Sequence, residues 1–218
     1  MLILYYFTTI MSIAFKDEKE IEIINQVNQV YLKKGVKSIT MDVMAKELRI
    51  SKKTIYKYVK NKTELVKKSV YFHVLKEQKL VEEIQKKGLN PIQETREIAN
   101  YVNDTLSKIN PVVHYDLEKY FPDSWKLLNE YFSGFLYQSI LINLENGQKS
   151  GIYRDSFCPE IIAKIFISKI DLTFNATMFP PERFTFVQVY ADFIQHHLYG
   201  IVSKKGSAIL NKINFTNI

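Results

Sequence analysis

An all-α fold is what this 218-residue sequence predicts, and three observations carry the prediction. Apolar residues recur at the three- and four-residue spacing of a helix along nearly the whole chain, and no strand-type alternation persists. Most of the 7 Gly and 6 Pro fall between those periodic stretches rather than inside them. Thr, Ser and Asn stand where the stretches begin, as residues that cap helices. There is no internal repeat and no Gly-rich linker.

About nine helices are expected. The first covers 16–34, with Ile21, Ile24, Val27, Asn28, Tyr31 and Leu32 near one face and Gly35 as its stop. Thr40 caps a short helix over 41–48, and Ser51 caps another over 52–59. Asn61 opens a long fourth helix that reaches Gly88. Pro91 opens a helix to about 109, and Asn110-Pro111 opens the next. A long helix follows from about 124 to 146. Two apolar helices close the chain, at 159–178 and 184–202, separated by Pro180-Pro181. Residues 1–15 are apolar but lack a charged leader and a cleavage site, so they are read as a disordered or misassigned extension, with Met11 as the alternative initiator.

Composition narrows the class. Apolar residues make up 46% and charged residues 24%, enough to bury a core. No apolar run reaches the ~18–20 residues of a membrane helix. A single cysteine, Cys158, forms no internal disulfide or thiolate cage, which fits the cytoplasm. The formal charge of +7 is uneven. Residues 1–87 hold 18 Lys+Arg against 10 Asp+Glu, whereas 88–218 hold 12 against 13 and carry 20 of the 29 aromatic residues. A basic head on a neutral, aromatic body suggests that one end meets a polyanion. The expected division is a head at 16–62, a connecting helix at 63–87 and a second domain at 88–218.

Two short helices joined by a tight turn make a helix-turn-helix. In the second, Ile55 and Val59 point inward, where Ala45, Leu48 and Ile50 cover them. Lys53 and Lys57 face outward, with Thr54 and Tyr56 on the shoulders. Such a face enters a major groove, and Ser51 with the free amides at the helix start favours a phosphate.

Residues 39–65, with Thr40, Ala45, Ile50-Ser51, Thr54, Tyr56, Lys62 after Asn61, and Glu64-Leu65, resemble the DNA-binding segment of TetR-family transcriptional repressors. The resemblance covers about the first third of the chain. It implies that Lys52, Lys53 and Lys57 face bases, while Thr40, Tyr56, Tyr58 and Lys62 touch the sugar–phosphate backbone, beside Ser51 and Thr54. Two positions depart from the family pattern. Arg49 stands where Gly is usual, so a non-Gly residue must turn left-handed at about 1 kcal/mol. Val59 stands where Phe is commoner.

The resemblance further implies a small-molecule effector site in the second domain and a homodimer through 159–178 and 184–202. Segment 116–125 also resembles a stretch of some second domains of this family. Tyr101, His114, Tyr115, Tyr120, Trp125, Tyr131, Tyr137 and Phe174, with Phe132, are candidates to line the effector cavity, though core packing suits each of them as well. His196 and His197 diverge by about 100° and do not share a metal easily; no metal or cofactor is expected. No phosphate loop, Gly-x-Ser-x-Gly elbow, His-Glu-x-x-His or Cys-x-x-Cys occurs, so no enzyme is expected. The alternative is a helical adaptor or small-molecule carrier whose basic head binds an acidic partner.

Overall fold

The computed structural model describes residues 15–175 and 177–213, apart from the Asp171 side chain. The expectation for the N-terminal extension therefore lies outside the described residues, except at Phe15. That residue is buried and meets the rings of Tyr71 and Phe72, so Phe15 belongs to the core and not to an extension.

Eleven α-helices make up the fold among the described residues: α1 Glu18–Lys34, α2 Met41–Leu48, α3 Lys52–Tyr56, α4 Lys62–Gln85, α5 Pro91–Leu106, α6 Val112–Tyr120, α7 Pro122–Tyr131, α8 Tyr137–Lys149, α9 Pro159–Thr173, α10 Phe186–Ile201 and α11 Lys204–Leu210. A π-helical turn, Phe132–Leu136, joins α7 to α8. The chain divides into two compact units. One holds the residues up to Lys79 together with Ile109–Asn129, and the other holds Leu80–Lys108 and the rest from Glu130. The boundary expected at residue 88 differs, because α6 and most of α7 belong with the basic head.

In the first unit α1 packs on α2 and α6, and α2 packs on α3. Asp17 caps α1 by accepting from the Glu20 N–H at 2.8 Å. Ile23, Ile24, Val27 and Tyr31 form the buried stripe of α1. Leu65 and Val66 of α4 are buried, as are Val113 and Leu117 of α6. Two polar links tie α1 to α4. The Asn28 amide donates to the Ser69 hydroxyl at 3.2 Å, and Lys68 forms an ion pair with the fully buried Glu20.

In the second unit α5 packs on α8 and α10, and α9 packs on both α8 and α10. Asn90 caps α5, and Pro91 occupies its first turn, where a missing N–H costs nothing. Thr185 and Gln188 form a reciprocal capping box on α10. Gly147 lets the chain fold back so closely that an added Cβ would sit 1.9 Å from the buried Tyr153 ring.

Two helix ends, one interruption and one additional helix are the main differences from expectation. Helix α3 stops at Tyr56, and α9 stops at Thr173, where the Asn175 side chain accepts from the Thr177 and Met178 amides and turns the chain. The expected long helix is interrupted by the π-turn. Helix α11, capped by Ser203, was not anticipated.

Candidate nucleic-acid interface

The candidate interface rests on two caps and one strained turn. The Thr40 hydroxyl accepts from the Val43 N–H at 3.2 Å, which starts α2. The Ser51 hydroxyl accepts from the Thr54 N–H at 3.1 Å and lies 2.8 Å from the Thr54 hydroxyl, which starts α3. Between them Arg49 adopts φ 55° and ψ 37°, the left-handed conformation expected of it. Its N–H donates to the Lys46 carbonyl at 3.2 Å, and the Ile50 N–H donates to the Ala45 carbonyl at 3.0 Å. This closing pair satisfies the last carbonyls of α2 and fixes the direction of α3.

Helix α3 buries one side chain, Ile55, and Val59 follows it into the core. Lys52, Lys53, Tyr56 and Lys57 are exposed, and Thr54 is half-buried. Five residues are too few for a stable isolated helix, so packing against α2 must hold the outward face in place. Lys53 and Lys57 are in no ion pair among the described residues. Lys52 is paired with Asp42 at 2.7 Å, and this contact raises its pKa. The pair is exposed and can open when a base or phosphate offers a better partner.

Two residues expected at the DNA backbone are held by the protein itself. The Tyr58 hydroxyl lies 3.5 Å from Asp17 Oδ2, and burial with the Asp17 charge pushes the phenol pKa up. Lys62 Nζ donates to the Lys37 carbonyl at 2.7 Å and lies 5.6 Å from the centre of the Phe121 ring. Desolvation lowers its pKa, and the Asp116 charge opposes that shift. An ammonium has three donors, so the Lys37 bond leaves two for a phosphate.

One buried residue was not singled out from the sequence. Asp116 of α6 accepts from the Val36 N–H at 2.9 Å and from the Lys37 N–H at 2.7 Å. Gly35, at φ 85°, allows this approach, since a Cβ there would meet Val112 Cγ1 at 2.7 Å. Helix α6 thereby grips the segment leading into Thr40. A signal was present, because Asp116 lies between Val113 and Leu117 on the apolar face of its helix.

The effector candidates are shared between the two units. His114, Tyr115, Tyr120 and Trp125 belong to the first unit, where His114 meets Trp125 edge-on at 4.7 Å. Tyr101, Tyr131, Tyr137 and Phe174 belong to the second. There Tyr131 stacks on Phe135 at 5.8 Å beside Phe132, and Phe174 meets Phe186 at 5.0 Å. Half-buried His197 packs against Phe166, and burial draws its pKa down to about 4. No cluster of three metal-ligating side chains occurs among the described residues. No described helix is long and apolar enough to cross a membrane.

No protein-family model and no curated protein matches the sequence. Solved structures do match the fold. A TetR-family transcriptional regulator from Agrobacterium tumefaciens superposes with a TM-score of 0.68 at 14% identity, over 84% of this chain and 97% of that one. SmeT, the repressor of the Stenotrophomonas maltophilia multidrug efflux pump SmeDEF, gives 0.64 at 16% identity over 84% and 89%. A protein described as a transcriptional regulator from Saccharomonospora viridis, solved with choline, gives 0.61 at 18% identity over 84% and 96%. The likeness first read from residues 39–65 thus extends to most of the chain's architecture: it has the fold of the TetR-family transcriptional regulators.

Proposed function

We propose that this chain is a ligand-responsive transcriptional regulator of the cytoplasm, a repressor that binds a palindromic operator as a homodimer and leaves it when a small molecule binds. The observation that carries the reading is the face of α3, which buries only Ile55 and turns Lys53 and Lys57 outward on a doubly capped frame. In this reading Lys52, Lys53 and Lys57 meet base edges in the major groove. Thr40, Ser51, Thr54, Tyr56, Tyr58 and Lys62 line the backbone. Lys reads guanine less sharply than a bidentate Arg, so discrimination rests on the three lysines together.

The second unit carries the effector site and the dimer contact. Structural neighbours solved with choline and with triclosan support an effector role for this fold. Ile161, Ile165 and Leu172 of α9 and Tyr199 of α10 are exposed, which supports pairing of these helices with a second copy. Effector and DNA then weaken each other's binding by the same factor.

Footprinting on the DNA adjoining the coding sequence, with sedimentation of the protein alone and on the protected duplex, tests this. A short palindromic footprint occupied by two chains is expected. Weak, sequence-blind binding by a monomer would reject the regulator and favour an adaptor with a basic head. Lys53→Ala and Lys57→Ala should narrow the gap between operator and random DNA, whereas Lys62→Ala should weaken both alike.

A further inference from the structure

Three residues before Thr40, Lys37 is held at every polar group it has. Its N–H donates to Asp116, its carbonyl accepts from Lys62, and its ammonium donates to the Tyr120 hydroxyl at 2.8 Å while lying 4.0 Å from the centre of that ring. Lys119 Nζ donates to the Tyr115 hydroxyl at 2.5 Å and lies 5.7 Å from the centre of the same Tyr120 ring. Tyr115 and Tyr120 meet edge-on at 6.2 Å, and all four residues are exposed. Two ammonium groups are therefore gathered on one phenol ring.

Neither ammonium is paired with a carboxylate among the described residues, whereas Lys34, Lys52 and Lys68 of the same unit are. Asp116 is buried and already engaged with two backbone amides. Of the exposed acidic residues nearby in sequence, Glu118 diverges from Lys119 by about 100° around the helix, and Asp123 lies in the first turn of α7. The positive potential is felt by Tyr120, whose phenol pKa is lowered mainly by the bond from Lys37. Cations already fixed by phenols lose little further freedom when an anion arrives.

We propose that Lys37 and Lys119, set by Tyr120 and Tyr115, form a phosphate-binding corner that extends the DNA contact from the helix-turn-helix onto the backbone flanking each half-site. The proposal rests on the DNA-binding reading above. Continuity selects the partner: Lys37 leads along the chain into Thr40, and its carbonyl holds Lys62, so the corner adjoins two residues assigned to the backbone. It reads no base, and its contribution is independent of sequence.

Fluorescence anisotropy of the full chain on a 30-base-pair mixed-sequence duplex, from 50 to 300 mM KCl, tests the corner. Lys37→Gln and Lys119→Gln, each present twice in the dimer, should each flatten the slope of log K against log salt by about 1.8, and the double variant by about twice that. At 0.1 M salt each should weaken dimer binding by about 25- to 100-fold, or about five- to tenfold per subunit contact. On a duplex trimmed to the footprint core, the loss should shrink. Unchanged slopes in variants of a steeply salt-dependent wild type overturn the corner and leave the helix-turn-helix reading standing. A loss of equal factor at every salt concentration marks a structural role and also overturns it. Failure of the wild type to bind any duplex overturns both readings.

Discussion

Replacing Asp116 by Ala removes the acceptor for two backbone amides at once. The carboxylate is 4% exposed, and a single oxygen receives the Val36 and Lys37 N–H groups at 2.9 and 2.7 Å. Hydrogen bonds to charged groups contribute about 1.5–3 kcal/mol each, and a buried donor left alone costs about 1–3 kcal/mol. Val36 is buried, so its amide meets that cost, whereas exposed Lys37 can turn its amide to water. Loss of the buried carboxylate's own desolvation penalty offsets part of the damage. The expected net destabilisation of the first unit is about 3 kcal/mol. Asp116→Asn keeps an acceptor oxygen of the same shape and should cost about half as much. Amide exchange followed by NMR measures this locally, through the protection of Val36 and Lys37 relative to Ile24 in the core, and urea unfolding measures it globally. Protection unchanged in the Ala variant, with a midpoint shift worth less than about 0.5 kcal/mol, would refute the argument that this carboxylate anchors the segment before Thr40.

Gly147→Ala should lower the melting temperature sharply, because its Cβ would lie 1.9 Å from a Tyr153 ring whose hydroxyl is tied to Asn143 at 3.1 Å. Overpacking of this kind costs about 3 kcal/mol, read by calorimetry. Arg49→Gly should stabilise the head by about 0.5–1 kcal/mol in urea unfolding, the relief of left-handed strain exceeding the extra freedom of the unfolded chain. Stability should also depend on His197, whose pKa is about 4 folded and about 6.5 unfolded. The unfolded chain binds the extra proton between those values, so stability is full above pH 6.5 and falls by up to about 3 kcal/mol as pH drops towards 4. His197→Leu should flatten that part of the profile, as measured by unfolding from pH 7.5 to 4.

Much of the helix-turn-helix frame was legible in the sequence because its determinants are local. Thr40 and Ser51 each bond an amide three residues on, so their spacing alone announces two helix starts. Arg49 could be read as left-handed because it stands where the family resembled over residues 39–65 usually has Gly in this turn. What remained hidden depends on partners distant along the chain. Nothing in the periodicity of α6 says that Asp116 will meet Val36 and Lys37, 80 and 79 residues away. The π-turn leaves the apolar pattern of its helix almost intact. Helix α11 is short and begins with two lysines and a glycine, so propensity argued against it, and the Ser203 cap with burial of Gly206 and Leu210 decided the outcome. The effector residues were least legible, since an aromatic ring filling a core and one lining a cavity have the same spacing.

The return of 109–129 to the head has a consequence for engineering. A fragment ending near residue 87 would expose the underside of α1 and lose the grip on the segment before Thr40. It should therefore be expressed as an aggregating or partly folded piece. Grafting this reading head onto a foreign sensor calls for a split transplant with two stretches of sequence, and the seams belong at 79–80, 108–109 and 129–130.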